Sequence, residues 1–285
     1  MVETPAGDNG SGPPPQSARG AGRQSRQVVR RRAMMDAVMA EGALRIEQLA
    51  EQFGISLMTA HRDLDELESR GLLRKTRGVA TALSTSLVES SDVYRSSRQI
   101  AEKEAVARAA LDFIESGQAL ILDDSTTTLH LVPHLHAKAP LTVITNVLTI
   151  MNQLAGVQGI TMLALGGQYY NWCNAFMGGM TQQAIGRLRP DVSIMSTPAI
   201  TDDVVYHQML ETVDTKRAML NASQKRILLV DHTKFEKRAL HRLAPLTDFD
   251  VVIVDAGTAS SDVERMRSQG ISVVVAPPVE DDGEL

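Results

Sequence analysis

The chain has 285 residues, with 29 Lys and Arg against 34 Asp and Glu for a net charge of −5, which excludes a protein that coats nucleic acid without regard to sequence. Aromatic residues make up 4% of it, leaving little to stack on single strands or RNA. A single cysteine, Cys173, excludes an internal disulfide framework, fits a reducing cytoplasm and, beside Trp172, reads as inert packing.

In chain order, residues 1–22 are rich in Gly, Pro, Ser and Gln and nearly free of large apolar side chains, so they are expected to be disordered. No apolar core of a signal peptide follows, and no run approaches the roughly 18 residues of a membrane helix. A cytoplasmic chain without membrane contact is therefore expected. The first helix is predicted from Arg26 to Ala40, with Arg30, Arg31 and Arg32 extending a basic face. Ile46, Leu49, Ala50 and Phe53 then fall at i, i+3, i+4 and i+7, the apolar stripe of a second helix. Gly54 permits a tight turn and Ser56 is suited to cap a third helix, whose stripe is Leu57, Ala60, Leu64 and Leu67. That leaves Ser56, Met58, Thr59, His61 and Arg62 near its N-terminus to meet base edges and phosphates in a major groove. Gly71 ends this helix, and Arg74, Lys75 and Arg77 supply a basic strand and turn that can grip phosphates as a wing. Residues 23–82 thus read as a winged helix-turn-helix for double-stranded DNA. The charge supports this, since Ser17 to Ala82 carry twelve Lys and Arg against eight Asp and Glu, while Leu83 onward is near −7.

Residues 83–97 are polar and Ser-rich, a linker. From residue 98 to 278 short Val- and Ile-rich runs alternate with amphipathic helices, which predicts a mostly parallel α/β sheet covered on both faces. An acidic tail, 279–285, closes the chain. In such sheets ligands bind beyond the carboxyl ends of the strands. Those ends hold Asp123, Asp124, Ser125, Thr126, Thr127 and Thr128 running into a helix N-terminus suited to a phosphate, then Thr145 and Asn146, then Gly166 and Gly167 where a ligand can approach backbone. Lys216, Asp231 and Lys234 add charge. Each has a structural explanation alone; a ligand site requires that they converge.

Together these residues make the chain from about Gln27 to Pro277 resemble the DeoR family of transcriptional regulators. The resemblance is carried by Ser56, Thr59, Arg62-Asp63-Leu64, Leu67, Gly71, Arg74 and Gly78, and by Lys103 with Val106-Ala107, Asp123, Thr126-Thr127-Thr128, Thr145-Asn146, Gly166-Gly167, Gly178, Lys216 and Asp231 to Phe235. It implies a cytoplasmic repressor of carbohydrate metabolism genes controlled by a phosphorylated sugar or related metabolite; a homo-oligomer, at least a dimer, without cofactor or metal is expected. It also implies a sensor domain similar in fold to ribose-5-phosphate isomerase and CoA transferases. Departures occur at Ala60 and His61, at Ser125 where Gly is usual, at Ser196-Thr197-Pro198 and at Tyr206-His207-Gln208, which point to an atypical effector and altered base preference.

Other readings are weaker. An isomerase or CoA-transferase-like enzyme shares the expected sheet, but no general base or Glu nucleophile stands out, and the DNA module gives the sheet another purpose. A metal sensor would draw on His130, His134 and His136, yet Pro133 interrupts their helix and no further ligands complete a set. A pure interaction module would not need a phosphate-competent crevice.

Overall fold

The computed structural model describes residues 16–82, 95, 96 and 98–279. Residues 1–15 of the expected disordered tail, most of the 83–97 linker and residues 280–285 of the acidic tail lie outside the described residues. The chain forms two compact units, one built on residues up to Ala82 and the other on Leu83 onward, with the short 69–72 stretch grouped with the second.

The first unit contains α1 (Gln16–Glu41), β1 (Ala43–Arg45), α2 (Ile46–Gln52), α3 (Leu57–Ser69), β2 (Leu73–Thr76) and β3 (Val79–Ala82). Helix α1 starts ten residues before the expected Arg26, inside the segment expected to be disordered. The added residues include Gln, Ala and Arg, whose helix propensity offsets two glycines. Met34, Met35 and Val38 of α1 are buried, as are Ile46, Leu49, Ala60, Leu64 and Leu67. The strands form an antiparallel sheet in the order β1-β3-β2. Arg77 and Gly78 both have positive φ, +50° and +79°, the two-residue turn that matches strand twist in a tight hairpin.

The second unit holds a seven-stranded sheet in the order β15-β14-β12-β9-β4-β5-β6, parallel throughout. Its strands are β4 (Ala119–Leu122), β5 (Leu141–Thr145), β6 (Ile160–Ala164), β9 (Val192–Met195), β12 (Lys225–Val230), β14 (Val251–Asp255) and β15 (Val273–Ala276). Alternate residues go to opposite faces. Leu120, Leu122, Ile227 and Leu229 join one buried cluster, and Ile121, Leu228 and Val230 join another, so both faces are covered as expected. Helices α4 (Ile100–Ala110), α5 (Thr126–Leu129), α6 (Leu148–Leu154), α7 (Gly179–Ile185), α8 (Leu210–Ala222) and α9 (Ser260–Ser268) connect the strands. Two small elements have no counterpart in the sequence reading. They are the hairpin β7 (Gln168–Tyr170) with β8 (Ala175–Met177), and the antiparallel sheet of β10 (Ala199–Thr201), β11 (Val204–His207) and β13 (His241–Pro245). Strands of three to five residues are too short to display a period.

Among the described residues no helix is long and apolar enough to cross a membrane. Cys173 is buried, with its Sγ 3.7 Å from the Tyr170 carbonyl oxygen.

Candidate functional site

The winged helix presents its chemistry on the surface. Ser56 caps α3 by accepting from the Thr59 backbone N–H at 3.2 Å, and the two hydroxyls lie 2.8 Å apart. Met58 is 80% exposed, Arg62 is exposed, and Thr59 and His61 are half-buried. Leu57, assigned above to the apolar stripe, is 45% exposed instead, because it occupies the first turn, outside the contact face of the helix. The buried face of α3 includes instead a charged residue, Asp63, which is fully buried. Asp63 accepts from Arg30 Nε at 2.7 Å and from Arg31 Nε at 2.9 Å, so two of the three arginines expected on the basic face tie α1 to α3. Lys75 likewise is ion-paired to Asp65, and its backbone N–H donates to Glu68 at 2.7 Å. Arg74 and Arg77 are exposed on the wing.

The order in which strands are added to the sensor sheet reverses between β4 and β9, the switch point where ligands bind in open α/β sheets. There the expected residues converge around Asp123. Its Oδ1 accepts from the Ser125 hydroxyl at 2.5 Å and the Thr128 hydroxyl at 2.7 Å; its Oδ2 accepts from Lys216 Nζ at 2.5 Å and the Ser196 N–H at 3.0 Å. Lys216, reaching in from α8, also donates to the Ser196 carbonyl at 2.8 Å and lies 3.3 Å from Asp124 Oδ1. Burial works against its charge, but Asp123 and Asp124 outweigh that and raise its pKa. Lys216 is thus an internal counter-ion to two carboxylates rather than a cation held ready for phosphate. The hydroxyls of Thr126 and Thr127 make no hydrogen bond among the described residues, although both side chains are buried. Two buried acceptors, Asp124 Oδ2 and Asn146 Oδ1, also lack hydrogen-bond partners there. His207, buried with its pKa well below the usual value through burial and then the Lys216 charge, accepts from the Met209 N–H at its Nδ1, 3.0 Å away, and so is neutral.

A second charged group lies at the end of β12. Asp231 caps the next turn by accepting from the Thr233 N–H at 3.1 Å, and its Oδ2 is 3.1 Å from Lys234 Nζ. The Lys234 charge and the bonds from Thr233 and Lys234 overcome burial and lower the Asp231 pKa, while burial lowers that of Lys234. Close enough to feel both charges is Lys103 of α4, 2% exposed. The one hydrogen bond of its ammonium is to the carbonyl of Arg95, and it has no ion pair among the described residues. Burial, then repulsion from Lys234, brings its pKa down to about 7.

Three further expectations change. Thr145 is committed to backbone, donating to the Leu122 carbonyl and accepting from the Val147 N–H, each at 3.1 Å. Gly167 is required by packing, since a Cβ there would fall 2.1 Å from Thr181 Oγ1; Gly166 has open space at the same position. Helix α5 is a single turn of four residues, too short for much of a macrodipole, which shifts the argument for an anion from the helix to hydroxyls and lysines. His130 Nδ1 and His134 Nε2 both face Glu104, at 3.3 and 2.6 Å, so one nitrogen of each ring is engaged by a carboxylate. Lys103, named above only through the family resemblance, lies with Val106 and Ala107 on the buried face of α4, a spacing of three and four residues that was visible in the sequence. Arg95 gave no such signal.

Residues 30–86 match the DeoR-like helix-turn-helix domain, and residues 98–256 match the DeoR C terminal sensor domain. The chain belongs to the DeoR family. It is 33% identical over 220 residues to the transcriptional repressor AccR of Agrobacterium fabrum, covering 76% of this chain and 85% of that protein. It is 26% identical to a putative aga operon transcriptional repressor of Escherichia coli O157:H7, covering 86% and 93%, and 30% identical to the glycerol-3-phosphate regulon repressor of Escherichia coli K12, covering 81% and 92%. The chain is therefore a DNA-binding transcriptional regulator of the DeoR family. Similarity to a solved ribose-5-phosphate isomerase complexed with phospho-erythronic acid reaches a TM-score of 0.35 at 15% identity, over 47% of this chain and 52% of that one, and carries no structural conclusion.

Proposed function

We propose that this DeoR-family chain represses carbohydrate metabolism genes and releases its operator when a phosphorylated sugar or related metabolite enters the sensor crevice. The observation that carries this is Lys103, a buried ammonium with no carboxylate partner, near Lys234 at the ends of the sheet strands. A buried charge is costly unless paired, so the site is completed by an anion. The unused Thr126 and Thr127 hydroxyls suit phosphate oxygens, while Asp124 Oδ2 and Asn146 Oδ1 suit the hydroxyl donors of a sugar. The names of the relatives, among them a glycerol-3-phosphate regulon repressor, accord with this class.

On the DNA side, Met58, Thr59, His61 and Arg62 read the major groove with Leu57 placed to meet a thymine methyl, and Arg74 and Arg77 hold phosphates. A homo-oligomer, at least a dimer, sets two winged helices on repeated or inverted half-sites. Effector and operator then oppose each other through a single coupling free energy. The sheet's likeness to the isomerase and CoA-transferase fold belongs to the same proposal, supported by the hydroxyl-rich turn after β4. An enzymatic role is disfavoured because both Asp123 oxygens are already engaged as acceptors and so do not serve as a base.

Thermal unfolding of the purified chain with glucose 6-phosphate, ribose 5-phosphate, glycerol 3-phosphate and their unphosphorylated parents tests the reading. A ligand that binds the native state raises Tm by mass action. At least one phosphorylated compound is expected to do so and its parent not; equal shifts from parent and phosphate would refute a phosphate seat.

A further inference from the structure

Arg95 lies eight residues ahead of Lys103 and five ahead of the first residue of α4. Its backbone carbonyl receives the Lys103 ammonium, and its guanidinium Nη2 is 3.4 Å from the Asp124 carbonyl oxygen. One residue therefore touches both polar groups described above, the Asp123-Asp124-Lys216 cluster and the Lys103-Lys234-Asp231 cluster. Its positive charge is within range of Lys103, His207, Lys216 and Lys234, which come from four different elements of the fold. Arg95 is also the first described residue after Ala82. Chain connectivity thus places it at the end of the stretch that leads from the winged helix.

We infer that Arg95 is an effector-contacting residue, its guanidinium joining Lys103 on the ligand phosphate, so that an effector acts directly on the residue from which the chain leads back to the DNA-binding unit. This rests on the phosphate reading above. The chemistry follows from the donors. The Lys103 ammonium has three N–H donors, of which one is used on a neutral carbonyl. A phosphate is a stronger acceptor than a carbonyl, so it competes for Lys103 at the Arg95 main chain while offering the Arg95 side chain a fork of oxygens. Both effects act on the same residue.

The test uses the full chain and DNA selected by it from a random pool. Affinity for whichever of glucose 6-phosphate, ribose 5-phosphate or glycerol 3-phosphate stabilises the wild type most is measured by calorimetry, and DNA affinity with and without that compound by fluorescence anisotropy. In Arg95→Gln the sugar phosphate is expected to bind about tenfold or more weakly, the loss of one charge-assisted hydrogen bond, and saturating compound should no longer change DNA affinity by the wild-type factor. Arg95→Lys, which keeps the charge but not the fork, should recover part of the binding. A purely structural role would move Tm and leave this rescue absent. Wild-type ligand affinity and wild-type release of DNA in Arg95→Gln would overturn the inference while leaving the phosphate seat intact. Failure of every phosphorylated compound to bind the wild type would overturn both.

Discussion

The winged helix and the sensor crevice use the same residue types under opposite solvation. On the winged helix, Arg62, Arg74 and Arg77 stand in water, where a charge costs nothing to keep and waits for an external polyanion. In the sensor unit, Lys103 and Lys216 are each 2% exposed, and a charge there must be paired within the protein or by a ligand. The two buried lysines solve this differently. Lys216 has two carboxylates and a raised pKa, whereas Lys103 has a carbonyl and a pKa near 7. Lys216 is therefore neutralised within the protein, and in the proposed function Lys103 is the group whose charge a ligand completes.

The contrast can be broken by removing each charge in turn. Lys216→Met leaves Asp123 and Asp124 buried without their counter-ion and should destabilise the sensor by about 3–5 kcal/mol in chemical denaturation. Lys103→Met removes an unpaired buried ammonium, so it should stabilise the unliganded sensor by about 1–3 kcal/mol while abolishing its response to a sugar phosphate. Opposite signs are the expected outcome; a loss of similar size from both would mean that Lys103 is paired as Lys216 is.

The winged helix offers smaller tests. Asp63→Ala strips Arg30 and Arg31 of their shared partner. Because both arginines keep some solvent, the expected cost is about 1–2 kcal/mol, read as a lower unfolding midpoint of that unit. Arg77 holds φ +50°, a conformation that favours glycine, so Arg77→Gly should stabilise by up to about 1 kcal/mol. The same change should weaken binding to all DNA sequences and lower the salt slope by about one unit. An unchanged slope would take Arg77 out of the phosphate contacts.

The sequence made these regions legible to different degrees. Helix-turn-helix order, the Ser56 cap and the exposure of Met58 and Arg62 follow from local periodicity, and the seven parallel strands follow from runs of Val and Ile. What local pattern misses is pairing between distant residues. Nothing in sequence separation tells that Lys75 goes to Asp65, Arg31 to Asp63, or Lys216 to an aspartate 93 residues away. Such partners decide whether a cation is available. The same limit applies to Gly167, which a close approach by Thr181 requires rather than a ligand, and to Thr145, whose hydroxyl goes to strand backbone. Leu57 erred for a local reason, since an i, i+3, i+7 stripe does not distinguish the first turn of a helix from its contact face.

The most direct test of the crevice is a calorimetric titration of the wild-type chain with its best-stabilising sugar phosphate, at about pH 7 and about pH 8.5, in buffers of different ionisation enthalpy. The lowered pKa of Lys103 leaves it largely neutral above about 7 in the free protein, and a bound phosphate dianion favours its charged form. Binding should therefore take up a proton at the higher pH and weaken by about tenfold or more between the two, a range in which the phosphate itself, with a pKa near 6, is already a dianion. Identical affinity at both pH values with no proton uptake would contradict an anion seat built on Lys103.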